Sequence, residues 1–232
     1  MRNPTGSLAL LVAEDLAVGY GDAPVCAPVD VRLAAGRALA VVGPNGSGKS
    51  TLLRTLVGLL EPLAGAVTFD GLPVDERSAG FRRDVAAVLD DDAFFASLTG
   101  REHLLLAALG HGVPAAADVV DAEVAAFGLG DRADALPSAL SSGQRRRLAL
   151  AAAFVRPARL LVLDEPERRL DAGMRVRLAT RLAALRDAGT AVLFASHDAE
   201  VVGSVADQVL VVDDDACRLL APAEAAGRIP EL

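Results

Sequence analysis

The chain has 232 residues, 52% of them apolar, which is enough for one large domain or two small ones with a substantial core. A formal net charge of −8 argues against a protein that binds nucleic acid by neutralising phosphates, so we expect no nucleic-acid partner. No apolar run approaches the ~18 residues that a membrane-spanning helix requires, and the chain is expected to be soluble as it stands. The two cysteines, Cys26 and Cys217, lie far apart in the sequence without metal-ligand spacing, which is typical of a reduced cytosolic protein.

The residues before position 43 are predicted to form strands. Segments 8–18 and 29–33 are rich in β-forming residues and flank a turn-rich segment at 19–24. This pattern predicts two strands of an antiparallel edge. Segment 38–42 is a continuous apolar run and predicts a buried strand.

Residues 43–51 read GPNGSGKST and fit the phosphate-loop pattern G-x-x-x-x-G-K-[ST], with strand 38–42 before them and a helical run at 51–60 after them. In this pattern backbone N–H groups bind phosphate oxygens at a positive helix N-terminus. Lys49 is the only lysine of the chain and is expected to reach the β- and γ-phosphates, while Ser50 is expected to bind Mg²⁺. The alternative is a glycine-rich turn with a surface lysine. The candidate phosphate-binding residues are Gly43, Pro44, Asn45, Gly46, Ser47, Gly48, Lys49, Ser50 and Thr51.

The middle of the chain changes from strand patterns to helical periodicity. Segments 66–69 and 85–89 are predicted strands, and apolar residues recur at helical spacing from position 99 to about 140. We therefore expect a helical insertion between strands. A further helix is predicted from Gly143 to position 155, and the arginines in its first turns are expected on a solvated or interface face; they are Arg145, Arg146 and Arg147.

Acidic residues follow the next apolar strand. Segment 160–163 is typical of a strand buried on both faces, and it ends in Asp164 and Glu165. Segment 191–195 is another strand, after which comes His197. Because parallel α/β sheets bind ligands at the carboxyl ends of their strands, we expect the two acids, the histidine and the phosphate loop to line one crevice. A helix at 171–188 and a final strand pair complete the prediction.

The segment LSSGQ at 140–144 stands before LDEP at 163–166, and with it the chain resembles the ATP-binding subunits of ABC transporters. The order of motifs matches this family over nearly the whole length. The resemblance implies one ABC ATP-binding domain over residues 1–232, with the α/β fold of a P-loop nucleotide hydrolase. A mixed parallel sheet core with an antiparallel edge subdomain is expected at 1–89 and 156–232, and a Q-loop and helical subdomain at 90–155.

The resemblance also implies the role of each site residue. Tyr20 takes the place of the aromatic residue that stacks on adenine, although it could instead pack over a small core. The implied catalytic residues are Glu165 as general base, His197 as the γ-phosphate contact, and Lys49. The implied metal ligands are Ser50, Asp90 and Asp164. Ser141, Ser142 and Gly143 are expected to cover the γ-phosphate of an ATP bound to a second copy, and Asp171 is expected at the seam between the copies. Gln144 and Asp171 are counted with them among the nucleotide-binding residues.

Three positions depart from the family pattern. Asp90 stands where the family usually has glutamine, and its shorter, charged side chain could still bind Mg²⁺ directly or through water. Ser142 replaces the first glycine of the signature and keeps a hydroxyl donor. The segment 167–169 is Glu-Arg-Arg, which adds charge at the expected subunit seam. Active ATP hydrolysis is expected, because the catalytic and metal-binding residues of the pattern are all present; they are Lys49, Asp164, Glu165 and His197.

ATP and Mg²⁺ are the implied cofactors. The implied partners are a second copy or a paralogous ATPase subunit and a separate integral membrane permease. The expected location is cytoplasmic, peripheral on the inner face of the cell membrane. The Arg-rich signature helix is more similar to export-type subunits, of the haem-exporter-like or drug-exporter-like groups, than to importers. An importer subunit and a soluble ABC-type ATPase in macromolecular assembly, such as iron–sulfur assembly, stay open as alternatives, whereas a P-loop kinase lacks the signature.

Overall fold

The computed structural model describes residues 9–89, 94–213 and 215–226. Its strands are β1 (Ala9–Ala17), β2 (Gly19–Tyr20), β3 (Ala23–Pro24), β4 (Val29–Ala34), β5 (Ala38–Val42), β6 (Ala64–Phe69), β7 (Leu72–Pro73), β8 (Val85–Val88), β9 (Leu160–Asp164), β10 (Ala191–Ala195), β11 (Gln208–Val211) and β12 (Arg218–Leu220). Its helices are α1 (Lys49–Leu56), α2 (Ala79–Asp84), α3 (Gly100–Gly110), α4 (Ala116–Ala126), α5 (Ser142–Phe154), α6 (Ala172–Asp187), α7 (Ala199–Val205) and α8 (Pro222–Ala226), with 3₁₀ turns at Gly130–Asp134 and Pro137–Ala139. Within this described part of the chain, no helix combines the length and apolar character that a bilayer crossing demands.

The larger sheet has six strands in the order β12-β11-β5-β10-β9-β8. Five of them are parallel, and β12 pairs antiparallel with β11 at one edge. Every residue of β5 and β10 is buried, as expected for parallel strands that are covered on both faces. The register places Val41 and Asp164 on either side of Ala195, so β5, β9 and β10 end at the same edge of the sheet.

The smaller sheet is antiparallel, with four strands in the order β4-β1-β6-β7. In β4, Val29, Val31 and Leu33 are buried, whereas Asp30 and Arg32 between them are exposed. This alternation places one face of the sheet against the core and the other in solvent. The antiparallel edge that the sequence predicts is therefore present, and the turn-rich segment between β1 and β4 adds the small β2-β3 ribbon.

Two buried clusters lie on opposite faces of the larger sheet. Leu39 and Val41 of β5 join the cluster that includes α1 and the smaller sheet. Ala38, Ala40 and Val42 of the same strand join the cluster that includes helices α3 to α8. Because successive side chains of a strand point to opposite faces, the larger sheet is packed between two layers. The predicted α/β fold, with its mixed sheet, antiparallel edge and helical insertion, is confirmed.

Two helices on one side of the larger sheet begin with capping boxes. At α3, the Thr99 hydroxyl accepts from the backbone N–H of Glu102, whose carboxylate accepts in return from the Thr99 N–H. Ser141 and Gln144 form the same reciprocal pair at α5. Each pair satisfies N–H groups that a helix start leaves without partners.

The assignment of 90–155 to a subdomain of its own stays a prediction.

Helix α1 is shorter than the helical run at 51–60 predicts. It spans Lys49–Leu56, and Gly58 follows with a φ of 77°. A Cβ at Gly58 would lie 2.8 Å from Val74 Cγ1. A glycine with positive φ commonly ends a helix, which explains why the apolar leucines after it do not extend α1.

Candidate functional site

The loop at 43–48 joins β5 to α1 at the edge where the parallel strands end. Its first and last glycines are required by close packing. A Cβ at Gly43 would lie 2.3 Å from the Val212 carbonyl oxygen, and one at Gly48 would lie 2.6 Å from Val25 Cγ2. Gly48 also has a φ of 92° at the N-cap of α1, a conformation that other residues rarely adopt. The loop therefore curves tightly in front of a helix N-terminus, where an anion is favoured.

Lys49, in the first turn of α1, lies across this loop. Its side chain is buried, and Nζ donates to the carbonyl oxygens of Gly43 at 2.8 Å and Pro44 at 2.7 Å. Burial lowers the pKa of the Lys49 ammonium, and the nearby carboxylates of Glu165 and Asp164 oppose that shift. A compact cation is thus held at the loop by carbonyl oxygens that a phosphate oxygen can replace.

The rest of the predicted phosphate loop is divided between exposed and buried residues. Pro44, Asn45 and Gly46 are exposed, and Thr51 is buried in α1. Ser47 Oγ is buried without a hydrogen-bond partner among the described residues. An unpaired buried hydroxyl is costly, and its presence indicates a site that a polar ligand completes.

Asp164, the last residue of β9, lies beside the start of α1. It accepts a hydrogen bond from the Ser50 side chain, while its Oδ1 is buried and has no partner in the described part of the chain. Burial raises the pKa of the Asp164 carboxyl, and the Ser50 hydrogen bond opposes the shift. A serine hydroxyl beside an unpartnered carboxylate oxygen fits the oxygen ligands that Mg²⁺ takes in proteins. The described residues hold no cluster of three or more acidic, histidine or cysteine side chains for a metal.

Glu165 occupies a strained position directly after β9. Its φ is 44°, which is unusual for a residue with a side chain, and its N–H donates to the Ala195 carbonyl oxygen at 2.9 Å. Its carboxylate lies between two cationic or ionisable side chains. Oε1 is 3.5 Å from His197 Nε2, and Oε2 is 3.7 Å from Arg168 Nη1. The structure thus brings the predicted general base and the predicted switch histidine into contact.

Two residues at this edge have roles that the sequence analysis missed. Arg146 of α5 was expected on a solvated or interface face, but it is buried and donates to the carbonyl oxygens of Asp164 and Glu165, the latter at 2.9 Å. Glu167 accepts from Ser196 Oγ at 2.6 Å and from the His197 N–H at 3.1 Å. Both contacts join elements distant in sequence, so no local pattern predicts them.

The residues predicted to cover the nucleotide, and the predicted seam residue, lie at the starts of α5 and α6. Ser141 is exposed at the N-cap of α5, where its capping box also engages Gln144, and Ser142 and Gly143 follow in the first turn. Asp171 caps α6 by accepting from the Met174 N–H at 2.9 Å. The side chains of Ser141, Gln144 and Asp171 are held by hydrogen bonds within the first turns of α5 and α6.

A cavity of about 200 Å³ marks the centre of the site. Its lining combines the first turn of α1, the end of β9 and the charged segment that follows; the residues are Ser50, Leu89, Arg146, Asp164, Glu165, Arg168 and Arg169. The signature residues 141–144 and Asp171 are not among them. Tyr20 lies on the β2-β3 ribbon with 54% of its surface exposed, and it contacts Arg54, whose Nη1 donates to the phenolic oxygen at 3.2 Å. Asp90, the third predicted metal ligand, lies outside the described residues.

A phosphate loop before α1, with acidic and histidine side chains at the same carboxyl edge of a parallel sheet, defines a P-loop nucleotide hydrolase. A family profile described as ABC transporter matches residues 26–168, more than half of the chain. The chain belongs to the ABC transporter family. It is an ATP hydrolase of that family, and the predicted resemblance is confirmed.

Named relatives and a solved structure agree with this family. The aliphatic sulfonates import ATP-binding protein SsuB of Pseudomonas entomophila is 37% identical over 90% of this chain and 75% of its own length. The cytochrome c biogenesis ATP-binding export protein CcmA of Bordetella parapertussis is 37% identical over 92% of this chain and 94% of its own. A solved structure titled "Structure of ATP binding subunit of ABC transporter" superposes with a TM-score of 0.84 at 25% identity, covering 95% of this chain and 99% of that one.

Proposed function

We propose that this chain binds ATP with Mg²⁺ and hydrolyses it as one of two paired subunits that power a separate membrane permease at the inner face of the cell membrane. One observation carries the proposal. The buried ammonium of Lys49, the unpartnered oxygen of Asp164 and the Glu165–His197 contact meet at a single edge of the larger sheet. These are the groups that phosphoryl transfer needs for binding the phosphates, holding the metal and activating water.

Each of these groups has a defined part in the reaction. Lys49 exchanges loop carbonyl oxygens for phosphate oxygens when the nucleotide enters. Ser50 and Asp164 would hold Mg²⁺. The bound ion would neutralise charge on the phosphate oxygens. Glu165 orients the attacking water and accepts its proton, while His197, whose Nε2 lies 3.5 Å from Glu165 Oε1, donates toward the terminal phosphate.

A second copy completes the site. The lining of the central cavity comes mainly from α1, β9, the segment after it and Arg146 of α5, and it includes none of residues 141–144. Ser141, Ser142 and Gly143 present hydroxyl and N–H donors at the exposed start of α5, where the helix dipole favours a phosphate. A donor-rich helix start that is exposed in one copy can close over the nucleotide of the other, with Asp171 at the seam between them.

We propose that the permease docks in an apolar groove on another face. A cavity of about 920 Å³ lies between the end of α1, helix α2, strand β8 and the end of α3, and its lining includes Val57, Leu59, Phe81 and His111. Charged residues line it as well; they are Glu76, Arg82, Arg83 and Arg156. Leu59 in the lining is 60% exposed, and Leu109, which precedes Gly110 of the lining on α3, is 66% exposed. Exposed apolar surface of this size supports binding of a short apolar segment from a partner protein. The groove adjoins β8, so a movement there reaches the strand that leads toward Asp90.

Export is the direction that we propose for the transporter. The support is the Arg-rich signature helix at 145–147 and the export protein CcmA among the relatives. Import is a second candidate, and the similarly related import protein SsuB favours it. The transported compound contacts the permease, so the residues of this chain do not identify it.

Co-purification from membranes tests the proposal. Tagged chain expressed in its own cells is expected to recover an integral membrane protein from detergent-solubilised membranes. The double variant Leu59→Asp/Leu109→Asp is expected to lose that protein, because two carboxylates in an apolar contact are costly to bury. The matched control is Val176→Asp, which adds a charge at a residue 62% exposed on α6, away from the groove. Recovery of no membrane protein, or equal recovery with both variants, would contradict the proposal.

A further inference from the structure

We propose that Glu167 is a positioning residue for ATP hydrolysis, whose carboxylate ties the segment of the general base to the segment of the switch histidine. The inference rests on the proposed roles of Glu165 and His197. It assigns a function to the first residue of the charged segment that replaces the usual family sequence after Pro166.

The side chain of Glu167 hydrogen-bonds to the loop after β10. Its Oε1 accepts two hydrogen bonds, from Ser196 Oγ at 2.6 Å and from the His197 N–H at 3.1 Å. Ser196 is fully buried, and its Oγ accepts in turn from the Asp198 N–H at 3.0 Å. The Ser196 N–H donates to the Val41 carbonyl oxygen at 3.2 Å. The loop therefore hydrogen-bonds to β5 on one side and to the Glu167 carboxylate on the other.

These bonds hold the backbone of the residue whose ring faces the general base. Glu167 holds the backbone N–H of His197, and the ring of the same residue reaches Glu165, with Nε2 3.5 Å from Oε1. Glu165 and Glu167 belong to one turn, so two carboxylates of that turn contact the histidine at its backbone and at its ring. A displacement of the Ser196 loop would change the distance between the ring and the general base. Small misplacements of reacting groups lower rates strongly.

The arrangement is costly for a purely structural contact. Glu167 Oε2 is buried and has no hydrogen-bond partner in the described ranges. Burial raises the pKa of the Glu167 carboxyl, and the hydrogen bond from Ser196 only partly opposes that shift. A buried polar atom without a partner calls for an explanation, and a positioning role for Glu167 supplies one.

The same residue also contacts the segment that leads to the proposed subunit seam. The Glu167 carbonyl oxygen accepts from the Leu170 N–H at 3.1 Å, one residue before Asp171. Glu167 thus joins the seam segment through its backbone and the histidine loop through its side chain. Pairing of two subunits at Asp171 can therefore reach His197 through one residue.

The test is steady-state ATP hydrolysis by the purified chain, with kcat and KM for ATP measured separately for each variant. Glu167→Ala is expected to lower kcat roughly ten- to a hundredfold with KM within about twofold, because the phosphate loop is untouched. Glu167→Gln keeps an acceptor oxygen and is expected to restore kcat to within about threefold of the parent. Glu61→Ala, at an exposed acidic residue, is the matched control and is expected to leave both constants unchanged.

A second variant keeps the test valid if Glu167→Ala does not fold. Ser196→Ala removes the same hydrogen bond from the other side and is expected to lower kcat in the same way. The double variant is expected to fall no further than Glu167→Ala alone, because Ser196→Ala removes one of the two hydrogen bonds that Glu167→Ala removes. Additive losses, an unchanged kcat, or a rise in KM alone would overturn the inference. When the parent hydrolyses ATP and Lys49→Ala does not, any of these results overturns the inference and leaves the proposed function intact. When the parent itself is inactive, the proposed function and the inference both fail.

Discussion

At the scale of single residues, the site is built from buried polar groups whose partners are incomplete. Ser47 Oγ, Asp164 Oδ1 and Glu167 Oε2 are all buried without hydrogen-bond partners among the described residues. The Lys49 ammonium, by contrast, is occupied by two carbonyl oxygens of its own loop. Each unsatisfied atom raises the free energy of this state, and binding of an anion with its metal would relieve it at Ser47 and Asp164.

Cys217 gives a prediction that a pH titration can check. A hydrogen bond with Cys26 lowers the pKa of the Cys217 thiol to about 7, although partial burial opposes the shift. The thiolate is the reactive form, so the alkylation rate is expected to rise with pH and to be half-maximal near pH 7, about 2 units below the ordinary value for this thiol. Cys26 is buried and is expected to stay unlabelled.

The measurement is the rate of iodoacetamide labelling at several pH values, followed by mass spectrometry of peptides. Cys217→Ser is the control and is expected to abolish the fast labelling. Labelling that increases only above pH 8, or that falls on Cys26, would show that the two thiols do not interact as described. The two cysteines are far apart in sequence, so their proximity could not be predicted from spacing.

Single residues also show where sequence reasoning succeeds. The phosphate loop is predictable because its glycines, lysine and serine are contiguous and serve one local turn. Asp164 and His197 are predictable because each directly follows a buried strand. Arg146 and Glu167 are different, since their partners lie 19 and 29 residues away and are fixed only when α5, β9 and β10 pack together.

At the scale of elements, α5 connects the proposed nucleotide cover to the core. Its exposed start carries the signature, and its buried face carries Arg146 and Leu148. Leu148 is fully buried and packs close to Gly100 of α3, where a Cβ would lie 3.2 Å from Leu148 Cδ2. The position of the signature therefore depends on leucine packing between two helices.

Leu148→Ala is expected to destabilise the protein by about 2 to 5 kcal/mol, because it removes buried apolar volume that the surroundings cannot fill. Leu109→Ala is the matched control: it changes the same residue type at an exposed position of α3 and is expected to cost less than about 0.5 kcal/mol. Chemical denaturation followed by circular dichroism gives both values. Equal losses for the two variants would contradict the assignment of Leu148 to the core.

The end of helix α1 is decided by one glycine, which the apolar pattern around it does not reveal. The leucines near position 60 extend the helical pattern of α1, but Gly58 ends the helix earlier. The strands β5, β9 and β10 were predictable because continuous apolar runs of this length are typical of parallel strands buried on both faces. Their order in the sheet was not, since strand neighbours are decided by contacts between distant segments.

At the scale of the whole molecule, two hydrophobic cores on opposite faces of the larger sheet hold in place the carboxyl edge that carries the site residues. Alternate residues of β5 belong to different cores, so the loop that follows β5 is anchored from both sides. The residues proposed to seal the nucleotide are outside the cavity formed by that edge. Under the proposed function, the chain carries both halves of a site that two copies bring together.

The most direct test of this account is the oligomeric state of Glu165→Gln in saturating ATP and Mg²⁺, measured by light scattering after size-exclusion chromatography. The variant keeps the phosphate loop and loses the general base, so it is expected to bind ATP without hydrolysing it and to form a stable dimer. Removing ATP, or adding Lys49→Ala to the same chain, is expected to return it to a monomer. A Glu165→Gln chain that binds ATP and stays monomeric would contradict the account.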